Sequence, residues 1–300
     1  MARIQQVLTL AALLFALLWA AYCFSRGDAE SAPLGALLLA TGYAGILGLE
    51  FLLLAWVHGQ DPTPRATPTQ LLKAWWGEIV HAPQVFCWRQ PFQSQRYPDH
   101  LPPDAQGRRG VLLVHGFVCN RGLWNPWLQR LRAAGVPHVA VTTEPPFGSI
   151  DDGIATIEHA MRQLEACTGL APVLVGHSMG GLTIRRWWAE MGDDQRVHHA
   201  ITVGTPHRGT WLARFALSRN VRQMQQGSNW LTTLAAREPP QRTARFTCFH
   251  SHCDNIVFPP ANATLLGADN RHLPGVAHVH MVDHPAPWQA LMACLDQPAA

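Results

Sequence analysis

The chain has 300 residues, room for one sizeable core plus an appendage, so a single catalytic-size domain is the default. A formal net charge of +3 with 14% charged residues leaves no basic stripe of the kind nucleic-acid binding needs, and speaks against nucleic acid as a partner. The seven cysteines are scattered, without CxxC pairs or metal-ligand spacing, and neither demand nor exclude an oxidising compartment.

Two apolar runs open the chain, residues 7–24 and 33–57, each long enough to cross the hydrocarbon core as a helix. Between them lies Ser25-Arg26-Gly27-Asp28-Ala29-Glu30-Ser31, which reads as the turn of a helical hairpin with Pro33 just inside the second segment. The pattern predicts a membrane anchor over residues 1–60 with two transmembrane helices. The alternative for the first run is a cleaved signal peptide; against it stand a lone basic residue, Arg3, ahead of the run and no plausible mature start after it. Cys23 is a poor lipidation site because Tyr22 precedes it. Glu50 inside the second run is expensive facing lipid, so it is expected to face the first helix, sit near an interface or carry a proton. Arg3 before the first run and Arg65 and Lys73 after the second outnumber Arg26 in the turn, which favours both ends of the hairpin, and the domain behind it, in the cytoplasm of a bacterial-type inner-membrane protein. Single charges set that balance, so a periplasmic domain is the alternative.

Residues 61–109 are expected to be linker and pre-domain segment. Pro62, Pro64 and Pro68, with small polar residues between them, make a stiff connection. Leu71, Leu72, Trp75, Trp76 and Ile79 then follow a helical spacing, an apolar face that packs on the domain or lies at the membrane surface. From Gly110 short apolar runs alternate with helix-period segments, the pattern of a mostly parallel sheet flanked by helices, and a catalytic domain is expected over 110–300. Strands are predicted at 111–114, 138–141, 172–175, 200–203 and 243–249. Ser149 is expected to cap a helix, with Asp152 three positions on and Ile154, Ile157, Met161 and Leu164 along one face.

The chemistry concentrates at Gly176-His177-Ser178-Met179-Gly180-Gly181, which follows a predicted strand and precedes a helix-prone segment. That is the context of a nucleophile elbow: a tight strand-to-helix turn holds a serine in a strained backbone, and glycines at 176 and 180 leave the space. A serine attacking a carbonyl needs two convergent N–H donors for the resulting oxyanion. The amides of Met179 and of Phe117, in Val114-His115-Gly116-Phe117, are the natural oxyanion-hole pair. His115 is read as a structural histidine that braces this loop. Asp254, beyond the fifth strand at the carboxyl edge of the sheet, fits the acid; a loop-capping aspartate is the alternative, and Asp283 is the rival. His278 fits the general base, its tautomer held by Asp254. His280 stands next in line, and His272 and His284 are close in sequence.

Three segments in chain order, Val114-His115-Gly116-Phe117, the Ser178 segment and Val203-Gly204-Thr205-Pro206-His207-Arg208-Gly209-Thr210, resemble lipases and esterases of the α/β-hydrolase superfamily. The likeness is nearest to bacterial triacylglycerol lipase and inositol-deacylase-like members. Ser251, Asp254, Ile256, Val257 and Pro259 are similar to the segment that bears the family's acid. The resemblance runs from about Gly110 onward. It implies an α/β-hydrolase fold behind the two-helix hairpin, and hydrolysis of carboxylic, lipid acyl, esters through an acyl-enzyme on Ser178 with Asp254 and His278. It also implies that residues 211–240, rich in Trp, Leu, Phe and Met, cap the acyl pocket; ordinary packing helices are the alternative. Two departures stand out: Ala277 occupies a position where glycine is commoner, and His280 follows, which leaves the base between His278 and His280. No counterpart of a calcium-binding loop is present, so neither metal nor cofactor is expected. The expected partners are an acyl ester or lipid substrate and the bilayer, and no protein partner is indicated. Acyl transfer or thioester hydrolysis by the same triad, and a catalytically silent membrane-anchored interaction module, are the alternatives.

Overall fold

The two apolar runs fold as α1 (Ala2–Ser25) and α2 (Leu34–Val57) in the computed structural model, which describes residues 1–296. The last four residues of the domain expected over 110–300 lie outside the described residues. Both helices have 24 residues, about 36 Å of helix, enough for a hydrocarbon core of ~30 Å. The polar turn closes them into a hairpin: the Asp28 carboxylate accepts from Ser31 N at 3.2 Å, and Trp19 Nε1 donates to Ser31 O at 2.9 Å.

The stretch expected as linker and pre-domain segment is more structured than its prolines suggest. Pro62 and Pro64 act only ahead of Thr67, which forms a capping box with Gln70 and starts α3 (Pro68–Pro83). Ala74, Glu78 and Ala82 bury one face of this helix, and Val85 just beyond it enters the core against the sheet. Leu72, Trp76 and Val80 remain exposed on the other face. Phe51 and Leu54 of α2 pack with Ala74 and with Cys253, Phe258 and Ala277, so the end of the hairpin is built into the domain.

Short, mostly apolar runs become strands covered on both sides. They are β1 (Val111–Val114), β2 (His138–Val141), β3 (Val173–His177), β4 (His199–Val203) and β5 (Phe246–His250). All five lie within a few residues of their predicted positions. A sixth, β6 (Asp269–His272), is missing from the expected set because its residues are polar and mostly exposed. An edge strand of this kind needs only main-chain pairing, which leaves no hydrophobic signature. The order is β2-β1-β3-β4-β5-β6, and every neighbouring pair is parallel.

Successive side chains of β1 leave the sheet on opposite faces. Val111 and Leu113 join a core with Trp127, Leu128 and Leu131 of α4 (Asn125–Ala133). Leu112 and Val114 join another with Ile157, Met161 and Leu164 of α5 (Ile154–Thr168), and with Ile184, Trp187 and Trp188 of α6 (Met179–Met191). Leu291 of α7 (Pro285–Leu295) closes the first core.

Leu113 is fully buried in the centre of this arrangement. Leu113→Ala should lower the unfolding free energy by about 3 kcal/mol. The check is the denaturant midpoint of the detergent-solubilised chain at unchanged slope; an unshifted midpoint would contradict the close packing described.

Candidate active site

β1 has β2 on one side and β3 on the other, so the strand order reverses direction beside it, and a crevice opens at the carboxyl ends of β1 and β3. The loop with Phe117 leaves β1 there, and Ser178 leaves β3. Ser178 has φ 53° and ψ −128°, a backbone region that L-residues avoid. Close approach by the β1 loop surrounds it: a Cβ on Gly116 would lie 2.7 Å from Ser178 Cβ, and one on Gly180 would lie 2.3 Å from Val114 O. Only glycine at these two positions permits the contact. Ser178 N donates to Val203 O at 2.9 Å, and Ser178 O accepts from Thr205 Oγ1 at 2.9 Å and from Gly181 N at 3.1 Å. These bonds use only the backbone of the serine. Among the described residues, no backbone carbonyl takes the N–H of Phe117 or of Met179.

His278 and Asp254 meet beside this elbow, with Nδ1 of the imidazole 2.9 Å from Oδ2 of the carboxylate. The other carboxylate oxygen accepts from Ile256 N at 2.9 Å and Val257 N at 2.8 Å, which fixes the acid's orientation. The network assigns the proton of a neutral ring to Nδ1 and leaves Nε2 as the basic nitrogen. Burial by itself lowers the affinity of His278 for a proton, but the Asp254 carboxylate outweighs it and holds the ring above its ordinary pKa. His278 lies against the residue that precedes the serine: its ring is 4.7 Å from that of His177, and its carbonyl is 3.2 Å from His177 Nε2.

The competing residues are engaged elsewhere. His280 stacks on His81 at 4.0 Å, turned toward α3. Asp283 pairs with Arg89 at 3.3 Å. His272 lies against His250 and His252, and His284 caps α7 by accepting from Ala286 N at 3.2 Å. His115 braces its loop, with Nδ1 2.8 Å from Gly116 O while Nε2 accepts from Thr143 N at 3.1 Å. Burial pushes its pKa down to about 4, so the ring is neutral. Among the described residues no group of three or more His, Cys, Asp or Glu side chains is arranged to hold a metal ion.

No protein-family model matches the sequence, and no curated protein matches it. Solved structures do. The mature lipase BlEst2 of Bacillus licheniformis superposes with a TM-score of 0.56 at 18% identity, over 65% of this chain and 95% of that one. Lipase B of Aspergillus fumigatus gives a TM-score of 0.56 at 18% identity, over 81% of this chain and 65% of that one. The chain has the α/β-hydrolase fold. Since one fold hosts many chemistries, what this α/β-hydrolase scaffold does has to be argued from its site.

Between β4 and β5 of that fold, residues 211–240 form the short helices Trp211–Phe215, Arg219–Gln223 and Asn229–Ala236. Ala213, Met224 and Leu231 pack with Met179 and Leu182, and Phe117 borders the same cluster, so the insertion lies over the elbow. Several residues that support the site carry no role legible from their sequence context. Thr205 anchors the serine carbonyl, as above. Gln5, in the first turns of α1, donates from Nε2 to Gln90 Oε1 at 3.0 Å and to Val118 O at 2.9 Å. Val118 has φ 51°, an outlier for a β-branched residue, and Asn120 N also donates to Gln90 Oε1 at 3.0 Å. The head of α1 thus grips the loop that carries Phe117. A glutamine at the start of an apolar run was the one available signal.

His115 gives this region a pH signature. Its pKa is about 4 when folded against an ordinary 6.5. Between those values the unfolded chain binds the extra proton, so stability is present above pH 6.5 and is lost as pH falls toward 4. His115→Gln should therefore lose less stability than the parent between pH 7.5 and pH 5 (roughly the titration window), measured as the change in denaturant midpoint. Equal losses in both proteins would refute the neutral, buried assignment.

Proposed function

We propose that this chain is a membrane-anchored carboxylic ester hydrolase that cleaves lipid acyl esters through an acyl-enzyme on Ser178. The observation that carries the reading is the Asp254–His278 pair, 2.9 Å apart, beside a serine held at φ 53° at the turn from strand to helix. In the first half-reaction His278 Nε2 takes the hydroxyl proton as Ser178 Oγ attacks the ester carbonyl, and the amides of Phe117 and Met179 receive the oxyanion. The protonated His278 then gives its proton to the departing alcohol oxygen as the ester C–O bond breaks. Water, deprotonated by the same nitrogen, attacks the acyl-enzyme carbonyl, and His278 then returns that proton to Ser178 Oγ as the acyl C–O bond breaks and the carboxylic acid leaves. Asp254 keeps the ring oriented and stabilises the imidazolium without taking the proton.

The features around the site support a lipid substrate. α1 and α2 are long and apolar enough to cross a membrane. Both helices of the hairpin are attached to the domain, the Met1 amino group pairing with Glu144 at 2.8 Å and the second half of α2 packing against α3 and the loop of Asp254. Trp211 of the insertion meets Trp56 near the end of α2 edge-on at 6.0 Å, and Phe215 and Leu217 next to it are exposed. On this reading residues 211–240 are a cap that borders the bilayer, and a lipid ester enters beneath it. The excess of Arg3, Arg65 and Lys73 over Arg26 in the turn favours the cytoplasmic side for the domain.

Ser178→Ala should lower turnover of a p-nitrophenyl acyl ester by more than about 10⁴-fold while the melting temperature holds. A fluorophosphonate probe should label the parent chain and not the variant. Undiminished turnover in the variant would end the proposal, and release of the chain from membranes by an alkaline wash would end its two-span part.

A further inference from the structure

Two carboxylates from the N-terminal helices reach the loop that carries His278. Glu78, on the buried face of α3, is 2% exposed. Its Oε1 accepts from Val279 N at 3.0 Å, and its Oε2 accepts from Val279 N at 3.2 Å and from His280 N at 3.1 Å. Glu50 of α2 accepts from Asn255 Nδ2 at 2.6 Å, and the carbonyl oxygen of the same Asn255 side chain accepts from His278 N at 3.2 Å. Three consecutive backbone N–H groups, those of 278, 279 and 280, therefore end on acceptors tied to the hairpin and its following helix. These amides lead into the short helix His280–Asp283, where unpaired N–H groups attract negative charge.

A plain capping role does not account for an ionisable carboxyl at this depth, since a local acceptor that never carries charge would satisfy the same amides. Burial raises the Glu78 carboxyl to about 7 against the pull of its two N–H donors, so it is held at a cost. The groups that act on His278 are Asp254, Glu78 and Glu50 on the side that favours its protonated form, and the neutral His177 ring on the other side. Around Glu78 stand Val279, His280, His278 and Asp254, with Tyr43 of α2 bonded to the Glu78 carbonyl at 3.4 Å. The only cationic form in this group that the reaction creates is the His278 imidazolium.

We infer that Glu78 and Glu50 are positioning residues of the hydrolase, holding the His278 loop against Asp254 and keeping negative charge behind the imidazole, so that the membrane hairpin is a working part of the active site. The inference rests on the reading of Ser178 and His278 as nucleophile and base. The full chain in detergent, assayed on a p-nitrophenyl acyl ester with the Ser178→Ala variant alongside, separates the two.

Glu78→Ala should lower kcat by about 100-fold through misplacement of the base, with KM little changed. Glu78→Gln keeps an acceptor oxygen and should recover part of that kcat. In Glu78→Gln and in Glu50→Gln the acid limb of the pH profile should move to lower pH, because an amide no longer favours the imidazolium. Parent-like kcat and an unmoved acid limb in the three variants would overturn the inference while leaving the hydrolase reading intact. Full recovery in Glu78→Gln with an unmoved limb in both amide variants would reduce these residues to structural caps and also overturn it. If Glu78→Ala fails to fold, the acid limbs of the two amide variants decide. An inert parent chain, or an active Ser178→Ala variant, would instead remove the hydrolase reading itself and the inference with it.

Discussion

The site depends on how closely the loop after β1 approaches the elbow at Ser178. A positive φ on serine costs on the order of 1–3 kcal/mol, and such strain persists only where the surroundings over-determine it. Here three constraints do so. Gly116 and Gly180 remove the side chains that would keep β1 and the elbow apart, Val203 O holds the serine amide, and the Thr205 hydroxyl holds its carbonyl. With its backbone pinned on both sides, Ser178 projects from the turn at the head of α6. The same close contact places the loop that carries Phe117 beside the turn that carries Met179.

Charge selects among the histidines. The chain has 16 of them, and burial as such favours the neutral ring. His115 and His207 follow that rule, their rings desolvated and their nitrogens spent on local partners. His177 follows it as well, with desolvation as the leading cause and the neighbouring His278 adding to it. His278 departs from it because a buried carboxylate, itself satisfied by two backbone N–H groups, lies in contact with its ring. The site therefore concentrates proton affinity on one imidazole in an environment that suppresses it elsewhere.

The helical hairpin and the domain are continuous in space. Gln5 of α1 contacts the loop after β1, Phe51 and Leu54 of α2 pack on the acid loop, and α3 lies with Glu78 under the loop of His278. The stiff linker that the prolines at 62 and 64 suggest is confined to a few residues, because Thr67 starts a helix that the domain then covers. If the hairpin spans a bilayer, this continuity holds the carboxyl edge of the sheet close to the membrane surface.

What the sequence determined by itself is what short-range chemistry can encode. Unbroken runs of Val and Leu specify buried parallel strands, two apolar runs of about 20 residues specify long lipid-compatible helices, and a serine among glycines between a strand and a helix specifies the elbow. Local patterns could not separate His278 from His280, which sit two positions apart with similar surroundings in the chain; the fold sets the first ring against Asp254 and the second against His81. The same limit hid β6, whose polar residues rely on main-chain pairing with β5, and the roles of Gln5, Glu50 and Glu78, whose partners lie between 85 and 205 positions away. A polar side chain's partner is set by where the fold brings the chain back on itself, and only tertiary structure decides that.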